Sequence, residues 1–422
     1  MKVWSRSSAF FTRDREPVVK TIVFFSFVPF IKQHYKRFGA DVLESNGFEV
    51  WFYDFSPVVF PELNKNSNFL PQPVIDNYFL FDEEKKAIQA VQNLGSECFV
   101  VTSGFYQAEN FKIFQALSKT NIPYAFYTTV TYPGGMASIG KSIWWRFFLK
   151  FYRAFTQKQR KDFFSLKKLK SFLCKPVLAP IFGIRSPSIC ILGGESTLKN
   201  NGVAALIGKG TELIWAHSHD YDEYISHLHE STTQEKFAVF VDIGVPMFQW
   251  DQLLPQGRTH LTVNQYYPSL CRFLDYVEVE LQLKVIIAAH PKSNHVDYPE
   301  YFGKRRVLRD QTLNLIKKSK LVISHASTAL TYVVLEKKPL LFLTSAEYEA
   351  DLSYSKFMKM MALSLGTSLI NIDEEPYSIN WEKELAVNEE IYLKYKHQYI
   401  KKKDSDELNA WQTLANRLKE WQ

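Results

Sequence analysis

Residues 284–293 read Lys284-Val285-Ile286-Ile287-Ala288-Ala289-His290-Pro291-Lys292-Ser293, and residues 321–330 read Leu321-Val322-Ile323-Ser324-His325-Ala326-Ser327-Thr328-Ala329-Leu330. Each is a short apolar run that ends abruptly in polar residues. Runs of four to six, rich in Val and Ile and flanked by helix-like segments, read as strands buried on both faces, as in a parallel sheet. A helix-like segment at 312–319 lies between them, and a helix at 328–336 and a strand at 339–344 follow. Upstream, a strand at 237–242 and a helix at 261–281 complete the same rhythm.

The alternation also fills the first half of the chain. Strands are expected at 21–27, 48–55, 98–102 and 124–130, with helices at 32–46, 82–94 and 107–119; strands at 188–192 and 212–216 and a helix at 221–229 close the series. Gly47 and Gly95 stand where helix-terminating glycines belong. The polar run 230–236 separates the two series. The expected fold class is therefore α/β, two Rossmann-like doubly wound domains facing across a cleft. The domains are expected at 1–233, with a basic-aromatic insertion at 141–185, and at 234–380, with a helical tail at 381–422.

Composition narrows the function. Of 422 residues, 46% are hydrophobic and 23% charged, which excludes a disordered chain. Four scattered cysteines (Cys98, Cys174, Cys190, Cys271) with no CxxC pair make neither a disulfide scaffold nor a structural zinc site, and point to a reducing cytoplasm. No GxGxxG or Walker A sequence occurs, which disfavours dinucleotide oxidoreductases and P-loop enzymes. The N-terminus lacks the apolar core of a targeting signal, and no run reaches the ~20 apolar residues of a membrane span.

The net charge of +7 is unevenly distributed. Residues 141–185 hold 12 Lys/Arg, one acid (Asp162) and 11 aromatics, a local charge of +11 on a body of −4. Arg146, Lys150 and Arg153 share one helix face opposite Trp and Phe, the pattern of a helix lying in a membrane interface. A buried helical insertion with a solvated basic edge is the alternative. Aromatics interleaved with basic residues also suit single-stranded nucleic acid, but no RNA-binding motif accompanies them, and nucleic acid is not expected as a partner.

Chemistry is expected at the strand ends. His290 and Lys292, after the turn at Pro291, can meet a phosphate; Ser324, His325, Ser327 and Thr328 can offer donors at a helix start, and Thr312 at the preceding one. Ser327-Thr328 can equally be an ordinary helix cap, and His290-Pro291 a plain strand exit. His217-Ser218-His219-Asp220 exits another strand. It is expected to line the cleft through His217 and His219 rather than bind metal, because no HExxH pattern occurs and Asp220 resembles a helix cap. Asp242 ends a strand and either faces the cleft or caps its loop. Asp54, Glu109, Glu195, Asp220 and His34 are the candidates for a general base, with no choice among them.

Taken together, His290-Pro291-Lys292, then Ser324-His325-Ala326-Ser327-Thr328-Ala329-Leu330, then Glu336-Lys337-Lys338-Pro339-Leu340-Leu341-Phe342, resemble the donor domain of bacterial GT-B glycosyltransferases of surface polysaccharide (capsule and lipopolysaccharide) assembly. The run is similar to the His-Pro and Ser/Thr motifs of bacterial sialyltransferases and Kdo transferases, which use CMP-activated sugars, and resembles polyol-phosphate polymerases. The specific part covers residues 237–345. The resemblance implies a nucleotide-sugar donor, CMP-linked where the sialyltransferase likeness holds, a lipid-linked or cell-surface glycan or glycolipid acceptor, no metal and no other cofactor. It places the protein on the inner face of the cytoplasmic membrane, held to the anionic surface through 141–185. The acidic motif that supplies the base in those sialyltransferases has no clean copy here. A nucleotide-sugar 2-epimerase, a polyol-phosphate transferase and a non-catalytic membrane-docked assembly factor are the alternatives.

Overall fold

The computed structural model describes residues 18–61, 76–103, 106–133, 176–199, 201–228, 233–246, 261–291 and 293–421. The first sheet contains β1 (Thr21–Ser26), β2 (Glu49–Asp54), β3 (Tyr78–Leu80), β4 (Cys98–Thr102), β5 (Tyr124–Thr128), β6 (Ile189–Leu192) and β7 (Glu212–Trp215). The second contains β8 (Phe237–Val241), β9 (Lys284–Ala289), β10 (Val307–Arg309), β11 (Leu321–Ser324), β12 (Leu340–Thr344) and β13 (Leu369–Asn371). The orders are β3-β2-β1-β4-β5-β6-β7 and β10-β9-β8-β11-β12-β13. Neighbouring strands in both sheets are parallel. The chain thus forms the two Rossmann-like, doubly wound domains expected from the alternation. The strand order reverses between β1 and β4 and again between β8 and β11, the switch points at which such sheets hold ligands.

Strand side chains alternate between the two faces, so each sheet needs two cores. In β1, Val23 and Phe25 enter one core while Ile22 and Phe24 enter the other. In β8, Val239 and Val241 point one way and Ala238 and Phe240 the other. That is why these strands read as unbroken apolar runs.

The segment expected as one helix at 32–46 is two, Lys32–Arg37 and Ala40–Ser45. Gly39 separates them in the left-handed region (φ 54°), and a Cβ there would come within 2.1 Å of the Trp411 ring. Trp411 belongs to the last helix, Ala410–Glu420. Its ring stacks on Tyr127 (4.6 Å between centroids) and meets Phe24 edge-on at 5.4 Å, and its indole N–H donates to the Arg37 carbonyl at 3.1 Å. Of the residues expected as a helical tail, Trp381, Tyr392 and Tyr395 pack on the second domain. Ala410 to Leu418 pack on the first. The chain crosses back between them through a π-helical turn, Lys396–Ile400.

Residues 141–175 of the basic-aromatic insertion lie outside the described residues. Its last ten do not: Pro176–Phe182 form a 3₁₀ turn. Arg185 is tucked inward, its guanidinium donating to the Ile122 carbonyl, so this cation serves the fold rather than a basic surface. No helix among the described residues is long and apolar enough to cross a membrane.

Candidate functional site at the interdomain cleft

The two domains meet at the carboxyl ends of their strands. The helix His219–Ser226, which follows β7, packs on Leu330–Leu335 after β11, and Tyr221 joins the second domain's core. The Tyr332 hydroxyl donates to the Glu223 carboxylate across this junction. Further along, Tyr132, beyond β5, meets the Phe357 ring edge-on at 6.0 Å.

Between these contacts lies a cavity of about 10 Å³, lined by Thr131, Tyr132, Ser218 and Asp220 from the first domain, Ser327, Thr328 and Thr331 from the second, and Tyr395, Tyr399 and Ile400 from the crossover. Burial pushes the Asp220 carboxyl up to about 6; the Arg37 charge and the Thr328 hydroxyl pull it partly back. His219 beside it is held down to about 4, by burial first and then by the Arg37 cation. At neutral pH the cleft wall therefore carries an ionised but weakly acidic Asp220 beside a neutral imidazole. Such a carboxylate can exchange a proton near physiological pH.

A second polar cluster organises the strand ends of the second sheet. Asp242, buried at the end of β8, accepts from Gly244 N (2.8 Å), His290 N (3.1 Å) and His295 Nδ1 (2.6 Å). Burial opposes the charge on Asp242, but the His295 interaction and the two backbone donors outweigh it, and its pKa is lowered. His295 Nε2 pairs with the Tyr267 hydroxyl at 2.8 Å. The adjacent Tyr266 hydroxyl pairs with His325 Nε2, also at 2.8 Å. Two neighbouring tyrosines of the helix Val263–Leu281 thus each pin a histidine beneath the strand ends. Asp242 caps its loop and fixes the backbone of His290, whose side chain is half-buried.

Several expected site residues are committed elsewhere. His325 is fully buried between Tyr266 and the Leu343 carbonyl (2.9 Å) and held down to about 4 by burial, so it supports the strand end rather than lining the cleft. Ser324 is equally buried and donates to the His325 carbonyl at 2.8 Å. His217 is buried against the Leu408 carbonyl (2.8 Å) and the Asp222 carboxylate (3.5 Å), fastening the crossover segment instead of lining the cleft.

Among the base candidates, Asp54 accepts from Phe30 N and Ser56 N (both 2.8 Å) and from the Tyr78 hydroxyl (2.9 Å). Its lone pairs hold the loop after β1. Glu195 accepts from Gln398 Nε2 at 2.7 Å. His34 is buried between Phe30 and Phe38, its Nδ1 accepting from Ile31 N at 3.3 Å. Glu109 is exposed in a turn. Asp220 alone of the five lines the cavity with Ser327 and Thr328.

Pro291 is exposed and Thr312 half-buried at the first turn of Thr312–Lys318; Lys292 lies outside the described residues. Gly193 and Gly194 serve the chain's own backbone: a Cβ on Gly193 would lie 2.2 Å from the Thr129 carbonyl oxygen, and one on Gly194 2.4 Å from Tyr399 N. Lys338 is buried and donates to the Lys317 (2.6 Å) and Ser319 (2.8 Å) carbonyls, closing a helix end. Among the described residues, no group of three or more His, Cys, Asp or Glu is placed to hold a metal ion. His295, Tyr266 and Tyr267 carry no sequence signal of their own; they emerge only once the fold places Asp242 and His325 against them.

No protein-family model matches the chain, and no curated protein matches it in sequence. Among solved structures it is similar to the glycotransferase of kitacinnamycin (11% identity, 96% of this chain and all of that one, TM-score 0.48). It is also similar to the wall teichoic acid polymerase TagF, solved with CDPG (15%, 97% and 91%, TM-score 0.46). A third is the UDP-GlcNAc 2-epimerase from Methanocaldococcus jannaschii (10%, 95% and 100%, TM-score 0.45).

Proposed function

We propose that the chain is a glycosyltransferase that moves a sugar from a nucleotide-activated donor to a glycan or glycolipid acceptor, with Asp220 as general base. One observation carries this reading: Asp220 of the first domain and Ser327 and Thr328 of the second share a cavity at the carboxyl ends of both sheets, and burial brings Asp220 up to about 6. A transferase of this kind needs a base for the acceptor hydroxyl and donors for the departing phosphate, on opposite walls of one cleft. Ser327, Thr328 and His290, with Thr312 and Lys292, are the donor-side residues of this reading. Asp242 acts indirectly, by holding the His290 backbone. The leaving phosphate is stabilised by these donors without a metal.

A cavity of about 10 Å³ has room for one water, not a nucleotide sugar. Binding must therefore part Asp220 from Thr328, and the crossover Lys396–Ile400 is a segment that must bend. We place the reaction at the cytoplasmic face of an anionic membrane, with a lipid-linked or cell-surface glycan of the capsule or lipopolysaccharide type as acceptor and a CMP-linked sugar as the first donor to try.

The test is thermal denaturation of the full chain with CMP-, CDP-, UDP- and GDP-linked donors, followed by donor turnover. A ligand bound only by the folded state raises the midpoint by mass action. Stabilisation by one nucleotide class, lost in Thr328→Ala, with turnover lost but binding kept in Asp220→Asn, supports the reading. No stabilisation and no turnover with any donor overturns it. Conversion of a UDP-sugar with no acceptor present makes the chain an epimerase instead.

A further inference from the structure

The helix Leu352–Leu365 (LSYSKFMKMMALSL) buries Ser355, Met358, Met361, Ala362 and Leu365 and leaves a second face uncovered. Leu352 is 85% exposed, Leu363 80% and Met360 38%. Lys356 and Lys359 are exposed with them. Leu352, Lys356, Lys359 and Leu363 recur every three or four residues, Met360 stands three before Leu363, and the five form one stripe. The helix contains no acidic residue. The carboxylates just upstream are taken up by hydrogen bonds: the N-cap Asp351 accepts from Ser353 N and Tyr354 N, Glu349 from Asn371 Nδ2 at 3.4 Å, and Glu347 from Thr262 N. Two leucines this exposed on one short helix, flanked by lysines, form a water-facing apolar surface that needs an occupant.

Position and charge identify the occupant. The helix follows β12, at the carboxyl side of the second sheet. Its Phe357 touches Tyr132 of the first domain, so the stripe stands beside the mouth of the cleft. The described segment 106–133 stops one residue later, and the next 42 residues of the sequence carry 11 Lys/Arg against Asp162. That stretch repels a lysine-flanked stripe, and so does a second copy of the stripe itself. An anionic bilayer attracts both.

We propose that the outward face of Leu352–Leu365 is a docking surface for an anionic lipid bilayer, seating the mouth of the cleft against the membrane. Leu352, Met360 and Leu363 enter the acyl boundary while Lys356 and Lys359 meet lipid phosphates, as amphipathic interfacial helices do. The second domain is then held at the membrane in its own right, independently of residues 141–185.

The test is flotation of the full chain with vesicles of phosphatidylcholine alone or with about one third phosphatidylglycerol. Leu352→Glu/Leu363→Glu and Lys356→Glu/Lys359→Glu replace exposed side chains, and their unfolding midpoints and nucleotide-induced shifts are expected to match the parent chain. The parent is expected to float only with anionic vesicles, less so at high salt, and each double variant to bind at least roughly tenfold more weakly. A Met360→Trp variant reports the stripe alone: the emission it adds to the parent's is expected to shift to the blue when anionic vesicles are added. No flotation of the parent, parent-like binding of both double variants, or an unshifted added emission from Met360→Trp overturns the proposal. So does a concentration-dependent dimer that Leu352→Glu/Leu363→Glu dissolves, since the occupant is then a second copy. Failure of nucleotide binding leaves these outcomes unchanged and counts only against the transferase reading.

Discussion

Asp220 shows how one carboxylate is made to differ from its neighbours by its surroundings. Asp242 is the more deeply buried of the two but receives three strong donors, and it stays charged below the usual carboxylate range. Asp220 receives none as strong, and burial prevails. The two therefore respond oppositely to pH. With its pKa raised in the fold, Asp220 binds protons more tightly folded than unfolded, so stability falls as pH rises through the window from about 4 to about 6. Asp220→Asn removes that penalty: above pH 6 its melting temperature is expected to equal or exceed the parent's, while turnover falls by roughly 10²–10⁴. The acid limb of the parent's rate profile, expected near pH 6, should vanish with it. Asp242 works the other way. Its stabilisation is complete above the unfolded carboxylate value and is lost as pH drops through its lowered one. Asp242→Ala strands buried His295 and is expected to cost about 3–5 kcal/mol in denaturant titrations at pH 7. A loss below 1 kcal/mol would show that the loops after β8 and β9 hold without it.

At the scale of elements, the contact between Gly39 and Trp411 governs how the first domain closes. Trp411 is 1% exposed and fills the core beside Phe24, Phe38 and Tyr127. Trp411→Ala is expected to cost about 3–5 kcal/mol. Gly39→Ala meets both a left-handed backbone and the indole, and is expected to cost more than about 2 kcal/mol. In the double variant the clash is gone and only the backbone strain remains, so the two losses should fall short of additive. Additive losses in a double-mutant cycle would disprove the contact.

The same pair marks where sequence reasoning stopped. The long central strands announced themselves, because both faces are buried and nearly every inner position is apolar. β3, β10 and β13 did not: each is three residues long at or near a sheet edge, with partly exposed side chains and no periodicity to read. The break at Gly39 was invisible because its cause lies 372 positions away. The site divides likewise. Strand ends pointed to Asp220, Ser327, Thr328 and His290. But a polar residue at a strand end faces either the ligand or the protein, and Asp54, His217, Ser324 and His325 face the protein. Only their partners, contributed by distant segments, decide between the two.

For the whole molecule, the crossing of the chain makes the two domains interdependent in an uneven way. The first domain's core is completed by Ala410, Trp411, Leu414, Ala415 and Leu418 from the far end of the chain. The second draws Tyr392, Tyr395 and Ile400 from residues before the crossover is finished. Lys401, Leu408 and Ala410 are fastened to the strand exit at His217 and Asp222, where burial raises the Asp222 carboxyl to about 7 while the Ala410 N–H (3.1 Å) pulls it down. Ending the chain after Asp404 therefore removes one wall of the first domain and almost nothing of the second. Five buried side chains are lost; Trp411 and the two leucines alone are each worth about 2–5 kcal/mol, against the 5–15 kcal/mol that holds a typical domain together. The first domain should fail on its own. Calorimetry of the shortened chain is expected to show the second domain melting near its original temperature, with the first domain's transition missing or moved far below it. Single-tryptophan reporters separate the two events, with Trp215 in the first domain and Trp381 in the second. Loss of both transitions would mean that the domains cannot stand apart, and that the cleft opens only by breaking the contacts that keep them folded.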